Sequence, residues 1–126
     1  MALTDAGAIL LAQMARGASV TALNAANAYL GVGDSSTAFA ASQTDLVAAT
    51  NKLRKAQDSG YPSGASNVLT YQSTFGTSDA NFAWNEWGLF NASSGGTMLG
   101  RKVDALGLKA NTQSWTFQVT ATFSAP

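Results

Sequence analysis

Cysteine and histidine are both missing from this chain, and charge is scarce. Without cysteine there is no disulfide framework, thiolate zinc site or thiol chemistry. Without histidine the chain lacks the usual general base, the commonest metal ligand and a charge switch near neutral pH. Seven Lys and Arg balance seven Asp and Glu, so the formal net charge is zero. Charged residues make up 11% of the chain, against roughly 25% in a typical domain. No apolar run approaches the ~18 to 20 residues that span a bilayer. Met1 to Asp5 has no basic segment of the kind that opens a signal peptide. The reading expects synthesis in the cytoplasm, no membrane partner, and no cofactor or metal.

What remains is neutral. The chain has 126 residues and is 46% hydrophobic, enough for one domain with a core of its own. Its polar surface must come from Thr, Ser, Asn, Gln and Gly. Surfaces of near-zero net charge favour association, so the composition points to assembly with copies of itself or with a larger shell.

The organisation is one N-terminal helix followed by strands. Thr4 is placed to cap orphan amides, Asp5 suits the positive end of the helix dipole, and Ala6 to Arg16 is rich in helix formers. Gly17 is a stop signal. Gly7, Leu10, Leu11 and Met14 form the expected buried stripe. From about residue 26 the pattern is β. Ala28 to Gly33 reads as a strand closed by a Gly-Asp-Ser-Ser turn. Residues 35 to 50 read as a long loop with a short helical turn near Thr44 to Ala48. Asn51 to Gln57 reads as an edge strand whose Lys52, Arg54 and Lys55 discourage edge pairing.

Asp58 to Gly64 reads as a loop, and Val68 to Phe75 as a strand with Leu69, Tyr71 and Phe75 on one face. Trp84 to Asn91 and Thr97 to Lys102 read as a hairpin turning at Gly95-Gly96, where positive φ is needed. The clearest strand ends the chain: Trp115, Phe117, Val119, Ala121 and Phe123 alternate with Thr116, Gln118, Thr120 and Thr122. The predicted fold is mainly β, an antiparallel β-sandwich with one N-terminal α-helix. It is a single domain over 1–126, with the helix within 1–17 and the sandwich over 26–126.

The constellations that carry chemistry are thin. Gly31-Val-Gly-Asp-Ser-Ser lacks the spacing and the lysine of a phosphate loop and reads as a turn capped by Asp34. Of the carboxylates, only Glu86 has an aromatic setting, between Trp84 and Trp87. A sugar platform built on Trp84 and Glu86 competes there with a cross-hairpin salt bridge from Glu86 to Arg101 or Lys102, and the salt bridge is favoured. No second acid is spaced for glycoside hydrolysis, and nothing activates a serine or threonine. The basic spots Asn51 to Lys55 and Arg101-Lys102 lack the net basic excess of nucleic-acid binding. No catalytic, cofactor-binding or metal-ligating residue is expected. Trp84, Glu86, Trp87, Arg101 and Lys102 are the candidates for partner contact.

Four segments also carry a family resemblance: Leu3-Thr-Asp-Ala-Gly7, Val32 to Phe39, Trp84 to Lys102 with its Trp84-Asn-Glu-Trp-Gly-Leu-Phe90 strand, and the closing Thr-alternating strand. In order and spacing the chain resembles small tailed-phage virion proteins of the tail-fibre or tail-collar type. The resemblance implies a non-enzymatic structural protein of the virion that forms homo-oligomers, trimers in the first instance, and docks on other tail, baseplate or capsid proteins. A capsid decoration protein is the nearest alternative. A carbohydrate-binding β-sandwich module is the alternative from another class.

Overall fold

A computed structural model describes residues 1–125 of the chain. Its elements are β1 (Ala2–Leu3), α1 (Asp5–Ala15), β2 (Tyr29–Gly33), β3 (Lys52–Ala56), β4 (Ser63–Ala65), β5 (Val68–Phe75), β6 (Ala83–Phe90), β7 (Met98–Leu108) and β8 (Trp115–Thr122). Two antiparallel sheets form, one of five strands in the order β1-β7-β6-β2-β3 and one of three in the order β4-β5-β8. The fold is an antiparallel β-sandwich with an N-terminal helix, as the alternation and the caps predict.

The core between the sheets follows from the period of two. Leu30 and Val32 of β2, Trp87 and Leu89 of β6, and Tyr71 and Phe75 of β5 are buried there. Phe117 and Val119 of β8 close it from the three-stranded sheet as partly buried side chains. Trp84 is the aromatic centre. Its ring meets Phe75 at 4.8 Å, Trp115 at 4.9 Å and Phe117 at 5.8 Å, all edge-on, the arrangement that the ring quadrupoles prefer. Its indole Nε1 donates to the Ala80 carbonyl at 2.9 Å, so burial strands no donor.

The helix begins as expected. Thr4 Oγ1 accepts from the Gly7 amide at 2.9 Å and donates to the Met98 carbonyl at 2.6 Å, capping the helix and fastening it to β7 at once. Gly7 and Leu10 are buried, while Leu11 and Met14 pack on the core from its rim. Gly7 is where the helix touches the sheet: a Cβ there would stand 2.0 Å from the Leu99 carbonyl oxygen. Leu99 is free to rise toward the helix because it is the extra residue in a register shift between Leu89 and Phe90. A bulge of this kind re-aims the local backbone.

Several expectations need correction. Residues 44–48 form no helical turn; they lie as irregular chain across the outer face of the five-stranded sheet. The hairpin between β6 and β7 is present, and Gly95 and Gly96 have φ of +60° and +62°. Its connection runs from Asn91 to Thr97, one residue longer at each end than the expected Ala92 to Gly96 turn, and is held by the Asn91 side chain, whose Oδ1 accepts from the Thr97 amide at 2.7 Å. The second strand continues past Lys102 to Leu108, because the first strand keeps offering it partners back to Ala83. Ser63 and Gly64, expected inside a loop, pair with β5 together with Ala65, and Ala2–Leu3 pairs with β7; two or three residues are too few to show a period. Phe123 lies beyond β8 and is half-exposed.

The close approach at Gly7 gives the first prediction. Gly7→Ala should raise intrinsic helix propensity by about 1 kcal/mol, yet the added methyl must push the helix off the Leu99 carbonyl. The net result should be destabilisation of about 1 to 3 kcal/mol, read from the midpoint of a denaturant titration. A stabilised variant would mean that α1 stands farther from β7 than described.

Candidate functional site

The expected partner-contact residues do not form a surface. Trp84, Glu86, Trp87 and Arg101 are buried, Glu86 and Arg101 completely; of the five, Lys102 alone reaches solvent, 3.6 Å from Asp104. The reason is an irregularity of register between Trp84 and Glu86, where β7 carries extra residues opposite Asn85. Simple alternation would set Trp84 and Glu86 on the same face. Instead Trp84 joins Trp87 in the core between the sheets, and Glu86 points out of the other face of the sheet. The aromatic platform imagined for a sugar therefore does not exist at these residues.

Glu86 is covered by the long loop between β2 and β3. Its Oε1 accepts from Arg101 Nε at 2.8 Å and from the Val47 amide at 2.8 Å. Its Oε2 accepts from the Ala48 amide at 2.9 Å and the Ser35 amide at 3.2 Å. Arg101 carries the bonding onward, donating from Nη1 to Gln43 Oε1 at 3.2 Å and from Nη2 to the Thr37 carbonyl at 2.9 Å. One buried ion pair thus holds both ends of residues 35–48 against the sheet. The predicted pairing of Glu86 with Arg101 across the hairpin is present, more deeply buried than expected, and it binds the protein's own loop.

Space for this clasp comes from glycine. A Cβ at Gly33 would stand 2.5 Å from Glu86 Oε2, and one at Gly31 2.7 Å from the Phe90 ring. The Gly31-Val-Gly-Asp sequence is thus the floor on which a carboxylate and a phenyl ring rest. Asp34 does not cap its own turn; its Oδ2 accepts from the Asn51 side chain at 2.9 Å. Beside the clasp, Leu46, Phe90 and Met98 make a small second core under the loop. The Arg54 guanidinium lies 3.6 Å over the Phe90 ring and donates to the Ala92 and Gly95 carbonyls and to Asp45.

Sequence reasoning missed one buried cation. Lys109 is fully buried, with Nζ donating to the Gly76 carbonyl at 2.6 Å and Asn81 Oδ1 at 2.8 Å, so it ties the loop between β5 and β6. Nothing in the sequence marks it, because its acceptors lie about thirty residues away. With its carboxylate saturated by four donors, Glu86 has no free lone pair facing solvent and no approach for a substrate. Among the described residues no group of three or more Asp and Glu converges as metal ligands would.

A broad open groove of about 760 Å³ is lined by uncharged residues, including Gln13, Thr21, Asn27, Tyr29 and Asn91. It offers hydrogen-bonding groups but no carboxylate or cationic side chain. Compared with protein-family models and with curated protein sequences, the chain matches none.

Two predictions come from the clasp and its surroundings. Arg101→Ala leaves a buried carboxylate without its cation and should cost about 3 to 5 kcal/mol. The double variant Glu86→Gln with Arg101→Met should cost less than the sum of the two single changes, and amide exchange should speed at Val47 and Ala48. Additive effects in a double-mutant cycle would show that the pair does not act as a unit.

Stability should also depend on pH in a defined way. Burial tends to raise the Asp45 carboxyl, but the Leu46 amide with Lys52 and Arg54 overcomes this and holds it below 3.8. Its contribution is then present above about pH 4 and lost as the pH falls through the folded value. Burial pushes the Tyr71 hydroxyl, which donates to the Leu23 carbonyl, above 10. That contribution is complete below about pH 10 and lost as the pH rises through the folded value. With no histidine in between, denaturant midpoints should be nearly level across neutral pH. Asp45→Asn should soften the acid limb, and Tyr71→Phe the alkaline one.

Proposed function

We propose that this protein is a non-enzymatic structural component of a tailed-phage virion that self-associates and docks on the particle exterior, as a tail or baseplate accessory or fibre adaptor. The observation that carries the structural part is where the polar groups are spent. The buried charges, Glu86, Arg101 and Lys109, bind the chain to itself. The outward face of the three-stranded sheet is a neutral ladder in which Thr70 faces Thr120, Gln72 faces Gln118 and Thr74 faces Thr116. A rigid scaffold with a neutral, hydroxyl-rich exterior suits attachment by shape and hydrogen bonding and is poorly suited to catalysis. The phage assignment rests on the resemblance of the four sequence segments to tail-fibre and tail-collar proteins. Capsid decoration remains the second location within the same reading, since a neutral scaffold suits either surface.

Mass spectrometry of purified particles from the phage that encodes this chain should find it as a virion protein, in tail fractions rather than empty heads. Because docking is driven by shape and apolar burial more than by charge, it should weaken little between low and moderate salt. Absence from purified particles would refute the assignment, and recovery in tail-less heads would move it to the capsid.

A further inference from the structure

We infer that β8 is an assembly edge that pairs antiparallel with β8 of a second copy, about a two-fold axis at Val119. Sheet edges are normally defended by shortness, charge or a bulge. Three of the edges here are. β1 has two residues and β4 three, and β3 carries Lys52, Arg54 and Lys55. The part of β7 that extends past β1 carries Lys102 and Asp104 and is broken by the irregularity opposite Asn85. β8 is the exception: eight residues long, at the end of its sheet, without a charge, a proline or a register shift.

The ladder shows which groups are free. The Phe123 amide donates to the Asn67 carbonyl at 2.9 Å, continuing the register in which Thr122 faces Val68. Hydrogen-bonded pairs alternate along an antiparallel ladder, so the odd-numbered residues of β8 turn their amides and carbonyls toward β5. The other side of β5 agrees: there the even-numbered amides of Gln72 and Thr74 point away from β8, to Gln57 Oε1 at 2.9 Å and Asp58 Oδ1 at 3.1 Å. The even-numbered Thr116, Gln118, Thr120 and Thr122 therefore present their backbone donors and acceptors outward.

The strand is complementary to itself, which selects the occupant. With Val119 on the axis, Thr116 faces Thr122 of the second copy and Gln118 faces its Thr120, so all four free residues enter hydrogen-bonded pairs. No charge meets a like charge, because residues 115–123 hold none. On the inward face Phe117 lies opposite Ala121, a large side chain against a small one. Trp115 lies opposite Phe123, which is 52% exposed in the single chain. At that end of β8 a groove of about 430 Å³, lined by Met1, Leu3, Leu11, Leu99 and Phe123, adds apolar area to the contact. The result is a continuous six-stranded sheet, and a dimer in place of the trimer that the family resemblance implies.

This inference rests on the self-association part of the proposed function, and its test is kept apart from the virion assay. Sedimentation of the purified chain across a dilution series should show a species of twice 12.9 kDa. In the double variant Gln118→Lys with Thr120→Lys, each introduced lysine faces another across the axis, and like charges directly opposite are unfavourable. The dimer dissociation constant should rise by about tenfold or more, while near-ultraviolet circular dichroism keeps its tryptophan signal. Mixing that variant with Gln118→Glu plus Thr120→Glu should restore dimers of mixed composition.

In the unaltered protein, amide exchange at Thr116, Gln118, Thr120 and Thr122 should slow as concentration rises, while exchange at Phe117, Val119 and Ala121 stays unchanged. A monomer at all concentrations, an oligomer indifferent to the lysine pair, or concentration-independent exchange at the even-numbered amides would each overturn the assignment. A protein that is found in particles yet monomeric in this assay would leave the virion reading standing and remove this one.

Discussion

The salt bridge between Glu86 and Arg101 is the constraint on which the outer layer of this molecule depends. Taking a carboxylate and a guanidinium out of water costs several kcal/mol per ion unless the geometry is good and the remaining valences are filled. Here both conditions hold. The carboxylate receives one charged and three backbone donors, and the guanidinium reaches a side-chain amide and a carbonyl as well. Among the described residues no buried side-chain nitrogen or oxygen lacks a partner. The bonding runs to residues 35–48, so the pair does for that loop what a ladder of backbone bonds does for a strand. Such a loop has little apolar area of its own to hold it down.

That loop makes a sandwich of two sheets into a molecule with a third layer. Beneath it the sheet must be nearly flat, and the glycines at 31 and 33 remove the side chains that would lift it off. Leu46 enters the small core with Phe90 and Met98, and Arg54 closes the margin by stacking on Phe90 while reaching the hairpin loop on one side and Asp45 on the other. The far margin of the sandwich is closed by side chains bonding to backbone amides. Gln57 and Asp58 satisfy β5 amides through their side chains and so bridge the two sheets where no strand is present.

A chain with so few charges spends several of them inward, which leaves an exterior of hydroxyl and amide groups. Such an exterior is weakly repulsive between copies. Solubility then depends on how well the sheet edges are defended, and β8 is the undefended one. In an isolated monomer this would be a hazard. In a protein built for assembly it is a place to join, and the structural reading of the molecule and the open edge support each other on that point.

Much of the fold was legible in local pattern. The helix and its Thr4 cap, the β3 edge with its basic residues and the alternating β8 all follow from spacing rules that act over a few residues. The pairing of Glu86 with Arg101 was legible too, since the two lie on facing strands of one hairpin. The sequence by itself therefore determined the class of fold, the neutral surface and the absence of thiol and imidazole chemistry. Tertiary structure decided which side of the sheet each residue serves. The register shift opposite Asn85 sends Trp84 inward and Glu86 outward, and a shift of register has no signature in residue types. It likewise decided that the loop over Glu86 has no helical turn, that Lys109 is buried, and that β8 is an edge, because each depends on partners dozens of residues away that only the folded chain brings within hydrogen-bond reach.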